Sequence, residues 1–270
     1  MPQMIFATSG QPVVPSLLLL VSMIAPLLGC DSLTPDPSET TSQSLMNAIA
    51  AVRRGEEHTI HLEGDKLTDE DLSLLAEVAG LQELIIENAP LGDRALAHLK
   101  KLNQLQRLEF PAGSVGDEGL SVLAGLKNLE WLNIPLSRAS DVGFSKLSEL
   151  KKLRILNMHQ TQITDQGLEH LKTLSRLSLL RFGSPHVTDR GLKHLESLGQ
   201  LKALHLMEVP VTDEGLQTIA NMKGLESLYL DGGHVSDAAL GKLIEARPAL
   251  HLHQNQQHLY NDPQRHTHPE

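Results

Sequence analysis

The stretch LRILNMHQTQITDQGL, residues 153–168, holds two hydrophobic spacings that predict two kinds of secondary structure. Leu156 and Met158 lie two positions apart, which is the spacing of a short strand with one buried face. From Asp165 onward the apolar residues come every three positions, and this predicts one face of a short helix. The stretch therefore predicts a strand, a turn and a helix in that order.

This unit occurs eight times at a constant interval of 24 residues, without an insertion. In each copy an Asp is followed by apolar residues three, six and nine positions later. The copies begin at Asp69, Asp93, Asp117, Asp141, Asp165, Asp189, Asp213 and Asp237. Equal periods of this kind do not arise from composition. They indicate a repeat protein in which each unit buries its leucines against its neighbours.

The pattern resembles the LxxLxL…ITDxGLxxL consensus of the cysteine-containing leucine-rich repeats of F-box-type proteins. The resemblance covers about residues 59–252 and implies an α/β fold, namely a right-handed leucine-rich-repeat solenoid with a parallel sheet on its concave face and helices on its convex face. Here the loop is one residue shorter, and the cysteine position holds Ala89, Gly113, Ser137, Thr161, Pro185, Val209 or Gly233. The loop carbonyls must therefore find other hydrogen-bond donors.

The Asp at the start of each helix predicts helix capping. Ser or Thr followed by Asp offers acceptors to the unpaired amides of the first turn, and the carboxylate suits the positive end of the helix dipole. The trio Asp165-Gln166-Gly167 could suggest calcium, but a calcium loop needs several converging oxygens, whereas each Asp here opens a helix. The Gly lies on the first turn, where we expect its small size to let neighbouring coils approach.

Shorter elements are expected to close the two ends of the predicted repeat domain, residues 45–252. Apolar residues at helical spacing predict an N-terminal capping helix over residues 44–53, followed by a first strand over residues 59–62. Residues 248–252 resemble a degenerate last strand. The polar segment 253–270 is predicted to be a disordered tail.

The N-terminal part is predicted to target and tether the chain. Residues 13–28 form an apolar run that is short for a membrane span and matches a secretory signal peptide in length, although the usual positive charges before it are missing. The run ends in Leu27-Leu28-Gly29-Cys30, which resembles the lipobox of bacterial lipoproteins. This resemblance implies a signal peptide over residues 1–29, a lipidated Cys30 and a membrane-anchored lipoprotein of the bacterial cell envelope, facing the periplasm or the exterior. Residues 30–44 are predicted to be a disordered tether. The alternative is a buried N-terminal helix with an incidental Cys.

Composition narrows the class of function. The net charge of −10 argues against nucleic-acid binding, which needs a basic face. One Cys excludes an intrachain disulfide framework, and aromatic residues at 3% predict an aliphatic core. The chain has no GxSxG, HExxH, P-loop or GxGxxG motif, so we expect no enzyme activity, no metal site and no cofactor. His98, His170 and His194 recur on the predicted helices and are interpreted as solvated.

The outward strand positions predict a binding surface on the concave face. These positions form three rows. The first row contains Glu83, Arg107, Trp131, Ile155, Leu179, Ala203 and Ser227, and the second contains Ile85, Glu109, Asn133, Asn157, Arg181, His205 and Tyr229. The third row contains Glu87, Pro111, Pro135, His159, Gly183, Met207 and Asp231. Exposed, adjacent apolar side chains with a polar rim that includes Arg have the composition of a binding hot spot. The predicted partner-binding residues are Trp131, Asn133, Ile155, Asn157, Leu179, Arg181, His205 and Tyr229. The alternative is that they only cover the sheet.

The sequence therefore predicts a non-enzymatic interaction scaffold, anchored to a membrane through Cys30, that binds a protein partner or a cell-surface polymer. One alternative is a soluble intracellular adaptor similar to the F-box-type leucine-rich-repeat proteins. Another is a hydrolase of envelope material that uses a pair such as His205 and Asp231, although regular repeats generate such pairs by chance.

Overall fold

The computed structural model describes residues 41–64, 66–255 and 257–258, and the side chains of residues 43–64 and 66–255. The predicted signal peptide, Cys30 and most of the predicted tether and tail lie outside these ranges. Their assignments stay predictions.

The strands form one sheet in which the order follows the chain. Nine of the described strands are parallel, and paired residues are 24 positions apart, as Ile155 and Leu179 are, except after Asn133, where Leu136 pairs with His159. A tenth strand runs antiparallel to the ninth. The strands are β1 Thr59–Glu63, β2 Glu83–Glu87, β3 Arg107–Glu109, β4 Trp131–Leu136, β5 Ile155–His159, β6 Leu179–Gly183, β7 Ala203–Met207, β8 Ser227–Asp231, β9 His251–Gln254 and β10 Gln257–His258. This architecture confirms the predicted α/β solenoid.

A short helix lies between each pair of parallel strands, and it begins at the repeat Asp in every unit. The helices are α1 Thr41–Arg54, α2 Asp69–Ser73, α3 Asp93–Leu96, α4 Asp117–Leu123, α5 Asp141–Leu147, α6 Asp165–Glu169, α7 Asp189–Leu192, α8 Asp213–Asn221 and α9 Asp237–Ala246. Turns of 3-10 helix extend α3, α6 and α7. The period-three leucines of the helices and the period-two leucines of the strands are buried in one continuous cluster. Burial of each aliphatic side chain is worth about 1.5–3 kcal/mol, so the stacked units are held mainly by the hydrophobic effect.

The repeat Asp connects neighbouring units. The N-cap of α6 is Thr164, whose hydroxyl accepts a hydrogen bond from Gln166 N. Asp141 of the preceding unit accepts from Thr164 twice, from the backbone N at 2.8 Å and from Oγ1 at 2.7 Å. The same pair of contacts joins Asp117 to Ser140, Asp165 to Thr188, Asp189 to Thr212 and Asp213 to Ser236. Ser or Thr thus caps α2 and α5–α9, as predicted, while the carboxylate reaches across to the next unit. The N-caps of α3 and α4 are Gly92 and Gly116, which make no side-chain capping bond.

In α4–α8 the Asp carboxylate of the preceding unit leaves no room for a side chain at the glycine of the first turn. A Cβ added at Gly191 would lie 2.4 Å from Oδ1 of Asp165, far inside van der Waals contact. The same overlap occurs in four other units, where an added Cβ would lie 2.2–2.4 Å from Oδ1 of the Asp in the preceding unit. The glycines concerned are Gly119, Gly143, Gly167 and Gly215. The close approach expected of these glycines is therefore present, and its cause is the Asp of the unit before.

Hydroxyl groups replace the missing cysteines in part of the loops. Ser137 Oγ donates to Val115 O at 3.1 Å, and Thr161 Oγ1 donates to Gly183 O at 2.7 Å. In the unit where the cysteine position holds Pro185, the preceding Ser184 is buried, and its Oγ donates to Ile163 O at 2.7 Å. Buried carbonyls need such donors, and these loops supply them from side chains of similar size.

The elements that cover the two ends of the solenoid have bounds different from those that the sequence predicts. The capping helix α1 begins at Thr41, three residues before the predicted start. At the other end β9 continues to Gln254, and β10 pairs with it where the sequence predicts a disordered tail. The physical reason is that β9 would otherwise present an unpaired edge, which the antiparallel β10 covers after a turn at Asn255, with φ of 49°. No helix within the described ranges has the length and apolar character required to cross a bilayer.

Replacement of Gly191 by Ala should destabilise the solenoid by about 1–3 kcal/mol, because the new methyl group overlaps the Asp165 carboxylate. Gly241 in α9 is the matched control: a Cβ there meets no atom within 4 Å, so Gly241→Ala should stabilise the helix by about 0.5–1 kcal/mol. Urea denaturation followed by circular dichroism measures both. Equal shifts of the two midpoints would contradict the steric role of Gly191.

Candidate ligand-binding face

The outward side chains of β1–β9 form three parallel rows on the sheet face opposite the helices, here called the concave face. In the first row Trp131, Ile155 and Leu179 lie on adjacent strands in register. In the second row the register runs Asn133, Asn157, Arg181, His205 and Tyr229. The eight residues predicted to bind a partner thus lie together on β4–β8. Trp131, Ile155 and Leu179, which the sequence predicts to be exposed, are half-buried, as are the other five residues, because neighbours in each row cover them on both sides.

The third row departs from the predicted order at β4. The sequence places Pro135 beside His159, but the register shifts after Asn133 and Leu136 pairs with His159 instead. Pro has no N–H to donate to the ladder, so a bulge at this point is the expected accommodation. It leaves Leu136 40% exposed beside the rows.

A chain of hydrogen bonds runs along the second row from β3 to β5. The Arg107 guanidinium donates to Glu109 and lies 4.3 Å from the centroid of the Trp131 ring, in cation–π geometry. Asn133 Nδ2 donates to Glu109 Oε2 at 3.1 Å, and Asn157 Nδ2 donates to Asn133 Oδ1 at 2.7 Å. This series of hydrogen bonds orients each amide and ends at Asn157, whose Oδ1 has no hydrogen-bond donor among the described residues.

Four buried polar atoms on β4, β5 and β6 have no hydrogen-bond partner within the described part of the chain: Trp131 Nε1, Asn157 Oδ1, His159 Nε2 and Arg181 Nε. A buried donor or acceptor without a partner costs about 1–3 kcal/mol, and folded proteins keep few of them. Here they share one small area of the concave face with Ile155 and Leu179. These four atoms are available to a ligand that carries matching polar groups.

Burial also sets the charges of this area. Desolvation lowers the pKa of His159 to about 3, and the neighbouring Arg181 and His205 add to the effect, so His159 is neutral near pH 7. Desolvation likewise lowers the pKa of Arg181, although Asp231 opposes it. No carboxylate of the described residues lies within ion-pair distance of Arg181. It is therefore a poorly solvated cation beside a neutral His.

The C-terminal third of the face is aromatic. His205 Nε2 lies 2.7 Å from Asp231 Oδ2, and the His205 ring is 5.3 Å from that of Tyr229. Tyr229 stacks on His253 at 4.5 Å, and burial raises the pKa of its hydroxyl. Burial lowers the pKa of His205 while the contact with Asp231 raises it. Among the described residues, no Ser, Thr or Cys side chain is hydrogen-bonded to His205.

Solved structures identify the fold. Internalin C2 from Listeria monocytogenes is 22% identical, with a TM-score of 0.50 over 72% of this chain and 92% of that chain. The leucine-rich-repeat ectodomain of the Arabidopsis receptor kinase HAESA is 17% identical, with a TM-score of 0.50 over 67% of this chain. The chain has the leucine-rich-repeat fold. It spans 31% of the HAESA ectodomain, which was solved in complex with a peptide hormone. No protein-family model matches the chain, and no curated protein sequence is similar to it.

Sequence reasoning missed His159 as a site candidate, and it considered Asp231 only as the partner of His205 in the hydrolase alternative. Both residues stand in the third row, so their position was predictable, but the burial of His159 depends on packing between strands. The helical histidines His98, His170 and His194 are half-buried, away from the concave face. Within the described ranges no three His, Cys, Asp or Glu side chains converge as metal ligands require.

Protonation of His159 should be linked to unfolding. Its folded-state pKa of about 3 lies below that of an unfolded His, so the unfolded state takes up a proton first and stability falls as the pH drops from about 6.5 toward 3. In His159→Leu the fall between pH 7 and pH 5 should be smaller by about 1 kcal/mol, which is half the full linkage value because the ring is partly exposed. Denaturation at both pH values measures the difference. An NMR titration of the His159 ring with a midpoint near 6.5 would contradict the assignment.

Proposed function

We propose that the chain is a non-enzymatic recognition scaffold that binds an extended polypeptide of a protein partner across its concave face. The observation that carries this proposal is the set of four buried polar atoms that find no partner among the described residues, next to the apolar Trp131, Ile155 and Leu179. Apolar anchors supply binding energy, and buried donors and acceptors supply specificity.

The polar atoms match the chemistry of a peptide backbone. Trp131 Nε1 is a donor suited to a backbone carbonyl, and Asn157 Oδ1 is an acceptor suited to a backbone N–H. The two lie on adjacent strands, and strands in a sheet are about 4.8 Å apart, which an extended polypeptide spans with one or two residues. A polypeptide can therefore satisfy both while its side chains contact the apolar row.

The ring of Trp131 is held in place before any partner binds. The Arg107 guanidinium lies over it, and Arg107 is itself fixed by Glu109. A side chain that is already ordered loses little conformational entropy on binding, which favours affinity. The HAESA ectodomain, which shares the fold and was solved with a peptide hormone, supports a polypeptide as the type of ligand.

Trp131→Ala should weaken binding at least tenfold, because it removes the central anchor and one orphan donor. The full chain is panned against a displayed library of random dodecapeptides, and the enriched peptides are titrated against both proteins. Val142→Ala, at a side chain 62% exposed on α5, is the matched control and should leave binding unchanged. Thermal unfolding should show that Trp131→Ala keeps its fold. Peptides that bind the variant as tightly as the native chain would overturn the concave face as the binding site.

We further propose that a lipid on Cys30 anchors this scaffold to the membrane of a bacterial cell envelope. The apolar run 13–28 and the Leu-Leu-Gly-Cys sequence at its end support this proposal. Ten residues, 31–40, separate Cys30 from the start of α1. A chain of that length reaches at most about 35 Å, which would keep the solenoid close to the membrane surface.

In a bacterial host, Cys30→Ala should either release the protein into the soluble fraction or leave it with an uncleaved signal peptide, because the thiol that takes the lipid is gone. Ser32→Ala, two residues away, is the control and should remain in the membrane. Mass spectrometry of the mature N-terminus should find a diacylglycerol on Cys30. Recovery of native protein in the soluble fraction with an unmodified Cys30 would refute the anchor and favour a soluble adaptor.

A further inference from the structure

The distribution of charge along the concave face specifies the ligand further. We propose, on the basis of the function proposed above, that the bound segment carries a basic side chain at one end, an apolar side chain in the middle and an acidic side chain at the other end. The basic group would lie over β1–β3, the apolar group over Trp131, Ile155 and Leu179, and the carboxylate at Arg181.

The first three strands give the concave face an acidic end. Their outward positions hold Glu63, Glu83, Glu87 and Glu109, against one cation, Arg107. Arg107 already contacts Glu109 and lies 3.8 Å from Glu83, so four carboxylates against one guanidinium leave three formal negative charges. A basic side chain of a ligand would be attracted here, and the attraction would also speed association.

The next two strands carry no charged outward side chain. Trp131 and Ile155 present apolar surface, Asn133 and Asn157 are neutral, and burial keeps His159 neutral near pH 7. A charged ligand side chain placed over these strands would lose its hydration without gaining a counter-ion. The middle of the face therefore favours an apolar residue.

Arg181 on β6 has no acidic side chain in ion-pair contact among the described residues. It is half-buried, its Nε has no hydrogen-bond partner there, and Asp231, whose negative charge acts on Arg181, also bonds to His205 at 2.7 Å. A carboxylate accepts charge-assisted hydrogen bonds from a guanidinium, and such bonds are about twice as strong as neutral ones. A ligand carboxylate would thus satisfy the orphan Nε and balance a charge that water solvates poorly.

The separation of the two charged areas sets the spacing on the ligand. From β2 to β6 there are four steps between strands of about 4.8 Å each, or about 19 Å, which an extended peptide at about 3.3 Å per residue covers in about six residues. A peptide with Lys or Arg about six positions from Asp or Glu, and an apolar residue between them, fits the face.

The peptide selection on the full chain tests this pattern when it is repeated on charge variants. Peptides displayed through their C-terminus offer no terminal carboxylate, so any acid that is selected must be a side chain. The native chain should enrich peptides with an acid five to seven positions from a base. Arg181→Gln should abolish the preference for the acidic residue and keep the preference for the basic one. The double variant Glu83→Gln/Glu87→Gln should abolish the preference for the basic residue and keep the preference for the acidic one. Arg154→Gln, at an Arg 64% exposed beside Glu130, is the matched control and should change neither preference.

Titration of one selected peptide then measures the contact itself. Replacement of its acidic residue by the amide should weaken binding to the native chain at least tenfold and leave binding to Arg181→Gln nearly unchanged. An acid preference that survives in Arg181→Gln, or Trp131-dependent peptides without any charge pattern, would overturn this inference and leave the proposed function intact. Failure to select any peptide that depends on Trp131 would instead overturn the proposed function.

Discussion

The contact between the repeat Asp and the N-cap of the next unit is the constraint on which the structure depends. Asp165 accepts two hydrogen bonds from Thr188, and the space beside its carboxylate admits only a hydrogen atom at Gly191. An extra residue in any unit would move the N-cap away from this carboxylate. The interval of 24 residues is therefore fixed by a polar contact as well as by the leucine core, and buried leucines alone would tolerate more variation in loop length.

A fixed interval places chemically related positions side by side across the sheet. Each outward residue has a neighbour 24 positions away on the next strand, so side chains stand in rows and cover one another. This mutual cover is why Asn157, His159 and Arg181 are half-buried although they face away from the core. Each of the three has a buried polar atom that loses water without gaining a partner among the described residues, which is why the proposed binding site lies here.

The concave face changes in character along the direction in which the units stack. It is acidic over β1–β3, apolar and neutral over β4 and β5, and cationic and then aromatic from Arg181 onward. A linear ligand laid along this direction would meet the three areas one after another. Because each unit contributes one step, substitutions in a single strand can alter one area and leave the others and the fold unchanged.

The sequence by itself determined the class of fold, the start of each repeat helix and, apart from the β4 position of the third row, the membership of the three rows. These depend on periodicities of three, two and 24 residues, which are local and need no knowledge of packing. Only the tertiary structure decided that the Asp carboxylate binds the following unit, that β4 bulges at Pro135 and that β10 covers the edge of β9. It also decided which polar atoms of the concave face, such as Asn157 Oδ1, have no partner within the described part of the chain. Those features follow from the cover that adjacent strands give each other and from the direction of individual side chains, and a repeat pattern specifies neither.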